Sequence, residues 1–158
     1  MTTHQVRPGE QSASLQHPMR HRLLLALPDE GGVISELARI LQTHKGNVAH
    51  HLAVLERVGL VERAGTRTGR GGTRIIWRRT FDQLAFEGDR EATDGMLGAV
   101  RDGVLADETA LLDLRHLRLR PEDAERIALQ LKGFVDGLRP APKGSPSYGV
   151  LVGVYRAH

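Results

Sequence analysis

Six arginines stand at positions 63, 67, 70, 74, 78 and 79, and no acidic residue occurs between Arg63 and Phe81. Guanidinium groups present forked donors that match phosphate oxygens, so the chemistry of such a run is the holding of a polyanion. The plainer alternative is a solvated surface. Upstream, Lys45, Asn47, Ala49 and His50 are interleaved with Val48, Leu52 and Leu55. The three apolar residues recur four and three positions apart, the period of one helical face, so the polar and small ones belong to the opposite face. A helix presenting that face fits the DNA major groove. There Asn47 can pair bidentately with adenine, Lys45 can reach guanine or phosphate, and His50 can donate to either. The small Gly46, Ala49 and Ala53 allow the backbone to come close to the duplex.

Eight histidines raise the question of a metal. His17 and His21 are four apart, a usable ligand spacing on one helix. His17, however, precedes Pro18 at a helix opening, where a structural role is expected. His50 and His51 are adjacent and point about 100° apart on a helix, which does not suit a shared ion. Asp113 and His116 do not complete a ligand set. The chain has no cysteine, which removes disulfides, thiolate metal sites and cysteine nucleophiles. It contains no Gly-x-Ser-x-Gly, no Walker loop and no HExxH pattern. Gly69-Arg70-Gly71-Gly72 resembles a phosphate cradle only superficially, because it stands between strand-like runs and not before a helix. Neither enzymatic activity nor a resident metal or cofactor is expected.

The elements that would position these residues follow from periodicity and punctuation. Residues 1–14 are polar and read as a flexible arm. Pro18 stands as a first helical residue, Leu23, Leu24 and Leu27 give an apolar face, and Pro28 stops it. A second helix is expected over 35–41 and a third over 45–58, joined by a short connection, with Gly59 at the closing position. Two β-prone runs follow, 60–63 and 73–78. The glycine-rich stretch between them reads as an irregular, mobile tip. A helix over 90–105 carries the stripe Met96, Leu97, Val100 and Val104. Its three glycines weaken helix propensity and allow close helix approach. The run 111–119 has a strand-like end. Residues 121–138 follow the i, i+3, i+4, i+7 rule through Ala124, Ile127, Ala128, Leu131, Phe134, Val135 and Leu138. A Pro/Gly/Ser linker leads to 148–155, which alternates as a half-buried strand does.

Composition agrees with this division. The chain is 158 residues long, 40% apolar and only 4% aromatic, which disfavours base-stacking platforms for single strands. Residues 1–80 hold 12 basic against 6 acidic side chains, and residues 81–158 hold 10 against 13. A basic half joined to a faintly acidic one suggests a polyanion-binding module plus a second function. The longest clean apolar run, 23–27, is far short of a membrane span, and residues 1–14 lack the apolar core of a signal peptide. A cytoplasmic location is expected.

Three short helices and a hairpin in about 65 residues read as a winged helix-turn-helix. The stretch from His17 to Thr80 resembles the ArsR-type winged helix-turn-helix transcriptional regulators. The matching residues are His17-Pro18-Met19-Arg20, Ser35-Glu36-Leu37-Ala38, and the run from Gly46 to Val61 containing His50-His51-Leu52 and Val58-Gly59-Leu60-Val61. Gly69-Arg70-Gly71-Gly72-Thr73-Arg74 is similar to the wing of a branch with a long C-terminal extension. Two departures stand out. Val33 occupies the cap position where the family usually has Thr or Ser, and the cysteines through which many members sense metals are missing.

The resulting expectation is a mainly α protein with a small β component. It comprises an arm (1–14), a winged helix-turn-helix (15–80), a helical dimerisation or effector region (81–139), and a linker with a terminal strand (140–158). Lys45, Asn47, Ala49, His50, Arg67, Arg70 and Arg74 are the candidate contacts to double-stranded DNA at a near-palindromic operator. Met96, Leu97, Val100 and Val104 are the candidate homodimer contacts. The resemblance implies a repressor, leaving any small-molecule effector unidentified. A winged protein–protein module and a non-specific architectural DNA binder are the rival readings. The first predicts that neutralising the wing arginines changes nothing, and the second predicts equal affinity for any duplex.

Overall fold

The computed structural model describes residues 3–6, 9–85, 89–139, 141–142, 145–146 and 148–156. The chain divides into two compact units, residues 1–108 and 109–158.

The first unit is built on three helices, α2 (Pro18–Ala26), α3 (Ile34–Ile40) and α4 (Lys45–Arg57). Leu23, Leu24 and Leu27, Leu37 and Leu41, and Val48, Leu52 and Leu55 meet in one buried cluster, as their spacing requires. The cap of α2 is His17, whose Nδ1 accepts from the Met19 amide at 3.1 Å, with Pro18 as the first helical residue. Val33 has no side-chain acceptor to cap α3. Glu36 instead reaches back, its Oε2 accepting from the Val33 amide at 3.5 Å. The turn from α3 to α4 passes through Gln42 at φ 51° and is closed by the Thr43 amide on the Ala38 carbonyl at 2.9 Å. Gly59, at φ 76°, ends α4 at the expected place.

The wing is more regular than its glycines suggest. Strands β2 (Val61–Gly69) and β3 (Gly72–Arg79) pair antiparallel up to Gly69 opposite Gly72, leaving a two-residue turn, Arg70-Gly71. The expected irregular tip over residues 64–72 is thereby corrected. One surplus residue on β2 is absorbed between Arg63 and Thr66, where Gly65 takes φ 126°. The base is fixed by Trp77, 5% exposed, and by reciprocal amide–carbonyl bonds between Gly32 and Trp77 at 2.8 and 2.9 Å.

The expected arm is folded wherever it is described. Strand β1 (Thr3–Gln5) pairs in parallel with β4 (Gln83–Ala85), and α1 (Glu10–Ser14) leads into Leu15, which is fully buried. Apolar anchors explain the difference, because Val6 and Leu15 join the core.

Helix α5 (Arg90–Ala106) forms where expected, capped by Asp89, whose Oδ1 accepts from the Ala92 amide at 2.7 Å. The other Asp89 oxygen accepts from the Ser12 hydroxyl, tying α5 to α1. Its buried residues are Ala92, Gly95 and Ala99, while Leu97 is 47% exposed and Met96, Val100 and Val104 are half-buried. The close approach that small residues allow is thus made against the Leu15 and Gln16 backbone of the same chain, and the larger apolar stripe lies on another side of α5.

The second unit contains α6 (Pro121–Asp136), and none of its described residues is fully buried. Two strand expectations are corrected here. Residues 110–120 have no regular structure, and neither do residues 148–156, where Tyr148 is 79% and Tyr155 66% exposed. A strand needs a ladder partner, and among the described residues of this unit no strand offers one.

The architecture is mainly α with a small β component, a winged helix-turn-helix as the sequence suggests. No helix among the described residues is long and apolar enough to cross a membrane.

Candidate nucleic-acid interface

The face of α4 opposite Val48, Leu52 and Leu55 points away from the core. Lys45, Gly46, His50 and Ala53 on it are exposed, and Asn47 and Ala49 are half-buried. Asn47 also braces the turn before α4, its Nδ2 donating to Thr43 Oγ1 at 3.1 Å. That bond holds the amide beside the start of α4, with Lys45 on the same exposed turn. The arrangement presents amide, ammonium and imidazole from one helical surface, with small residues between them.

His51 lies on the other side. It is 5% exposed, and its ring is 4.7 Å from His17 and 5.3 Å from His50, centroid to centroid. Burial first, then the neighbouring His17, Arg20 and His50, lowers its pKa to about 4. This fits the core-edge role expected of it. His21 is buried as well, with its Nε2 2.6 Å from the Leu15 carbonyl oxygen, and burial lowers its pKa too. Both members of the His17/His21 pair therefore serve the backbone. No group of three or more potential metal ligands occurs among the described residues.

The arginine run is not uniform. Arg63 pairs with Glu56 at 2.8 Å and lies over the Trp77 ring, 5.3 Å from its centroid. Arg78 pairs with Glu62 at 2.6 Å, and Arg79 with Asp29. Arg67, two residues before the end of β2, pairs with Glu36 at 2.8 Å. The acids absent from the run itself are thus supplied by α3, α4, β2 and the turn after α2. Among the described residues no carboxylate pairs with Arg70 or Arg74, both exposed at the far end of the ribbon. The sequence could not separate these two from the other four, because every partner except Glu62 and Glu56 lies more than 30 residues away from its arginine.

The expected dimer contacts occupy one side of α5, apart from its Ala92, Gly95 and Ala99 face. The second unit, taken by itself, also exposes apolar residues, with Leu111 at 93%, Leu112 at 78% and Phe134 at 63%.

Comparison with known proteins gives a sequence-family match over residues 15–64, to a family described as a helix-turn-helix domain. No curated protein matches the chain. Among solved structures, similarity is found to MepR of Staphylococcus aureus, described as a transcription regulator of the multidrug efflux pump MepA. The identity is 17%, covering 77% of this chain and 78% of that one, with a TM-score of 0.31. Sco3205 of Streptomyces coelicolor, a MarR family transcriptional regulator solved in complex with DNA, is 20% identical over 87% of each chain, with a TM-score of 0.32. The family match spans α2, α3 and α4 and enters β2, so it includes the helix that carries Lys45, Asn47 and His50.

Proposed function

We propose that this chain is a sequence-specific double-stranded DNA-binding transcriptional regulator of the ArsR type, a repressor that acts as a homodimer. The observation that carries the reading is the pairing of an outward-facing α4, bearing Lys45, Asn47, Ala49 and His50, with a long ribbon whose tip holds Arg70 and Arg74 without carboxylate partners among the described residues. The helix enters the major groove and reads base edges. The ribbon lies along the backbone or an adjacent minor groove, where the negative potential is strongest. Arg67 joins Arg70 and Arg74 in this contact once it leaves Glu36.

The homodimer is supported by apolar surface that one copy leaves partly in water, most of all at Leu97. Met96, Leu97, Val100 and Val104 line the outer side of α5. A two-fold axis buries both copies of such a stripe with one interface and sets two α4 helices on one face of the duplex. No cofactor is part of this reading, and a cytoplasmic location goes with it.

The test is the salt dependence of duplex binding. Neutralising about four phosphates per protomer gives a dimer a log–log slope near −7. A slope shallower than about −2 contradicts the reading.

A further inference from the structure

Glu36 serves two donors at once. It is the third residue of α3, and one carboxylate oxygen accepts from the Val33 amide at 3.5 Å. The other accepts from Arg67 Nη1 at 2.8 Å. Acid in the first turn of a helix is favoured by the helix dipole, and the bond to Val33 orients the carboxylate. Glu36 is therefore an anion oriented toward the side of the wing. Across the ribbon Arg67 stands opposite Arg74. Glu36 thus engages one guanidinium of this cross-strand pair and leaves the other without a carboxylate.

We propose that Glu36 is a specificity-determining residue of the wing, acting by holding the Arg67 guanidinium so that a DNA phosphate must contend with an internal carboxylate for it. The inference rests on the DNA-binding reading above. A phosphate contact is blind to sequence, so weakening one lowers affinity for arbitrary duplex and leaves a larger share of binding to the base contacts of α4. Arg70 and Arg74, free of such competition, supply the wing's unhindered backbone contact. The ribbon stays in place without the Glu36 bond, because its base is held by Gly32 and Trp77.

Substituting Glu36→Gln tests this directly. Glutamine keeps an oxygen for the Val33 amide and removes the charge that holds Arg67. Binding of the full chain to a labelled random-sequence duplex is measured by anisotropy between 50 and 200 mM salt, for wild type, E36Q, R67A and E36Q/R67A. The expected result is that E36Q binds about three- to tenfold tighter, with a log–log slope steeper by roughly one per protomer. The gain disappears in E36Q/R67A, which binds like R67A. Unchanged or weaker binding by E36Q, with circular dichroism matching wild type, overturns the inference. So does a gain that survives in the double variant, since Glu36 would then repel the duplex without acting through Arg67. These outcomes leave the DNA-binding reading intact if wild type binds with its steep slope. Absence of salt-dependent binding by wild type overturns both.

Discussion

The rings of His17 and His51 lie 4.7 Å apart, joining the cap of α2 to the buried edge of α4. Burial of His51, with His17 beside it, sets a pH dependence. His51 takes up a proton near pH 6.5 in the unfolded chain and only near pH 4 in the fold. The unfolded state therefore binds more protons between those values, and stability falls as pH drops through that window. Burial shifts His21 in the same direction. The thermal midpoint at pH 5 is expected to be lower than at pH 7.5. His51→Leu should narrow that gap. At pH 7.5 its effect should stay within about 1 kcal/mol, because the buried Nδ1 of His51 has no hydrogen-bond partner to lose. A wild-type-sized gap in His51→Leu contradicts this account of the pair.

Gly95 and Gly98 make a matched pair on α5. A Cβ on Gly95 would stand 2.5 Å from the Leu15 carbonyl oxygen, whereas one on Gly98 would meet only the Pro18 ring, no nearer than 3.5 Å. Gly95→Ala is expected to destabilise the first unit by about 1–3 kcal/mol, since backbone must shift to admit it. Gly98→Ala should be neutral or stabilising by up to about 1 kcal/mol through helix propensity. Urea unfolding of the two variants reads the difference.

The wing arginines should separate by their partners. Arg70→Ala and Arg74→Ala are each expected to weaken binding to every duplex alike and to reduce the log–log salt slope by about one per protomer. Arg67→Ala should cost less. Arg78→Ala, whose guanidinium is engaged by Glu62, should leave the slope unchanged. Equal slope changes for Arg70 and Arg78 would show that internal pairing does not sort the run.

Much of this arrangement is legible in the sequence, and the remainder has identifiable physical causes. The α4 period shows which side is buried, because Val48, Leu52 and Leu55 recur on one helical face. The folding of residues 3–6 and 9–15 is not legible. Its strand pairs with residues 83–85, some 80 positions away, and its anchors are single apolar residues in polar surroundings. The inner face of α5 is hidden for another reason. Ala92, Gly95 and Ala99 carry little hydrophobic signal, so the larger outer stripe dominates the pattern. Gln42 adopts a positive φ with no glycine to announce it.

The protein is expected to be a dimer at micromolar concentration in the absence of DNA. Val100 is half-buried on α5 and is not among the residues that α5 buries in its own protomer. Val100→Asp should therefore yield a folded monomer with weakened duplex binding. Sedimentation and circular dichroism together decide this. A wild-type monomer contradicts the expected dimer, and a Val100→Asp dimer assigns the interface elsewhere.

The central claim is that α4 reads sequence, and selection from a random duplex pool tests it most directly. The account predicts enrichment of a near-palindromic site whose half-sites repeat at about 10 bp or a multiple of it. It also predicts that Asn47→Ala and His50→Ala alter the enriched bases, with about 1–3 kcal/mol of discrimination lost per base contact. A pool that stays random after selection, or one enriched identically by wild type and both variants, would contradict it.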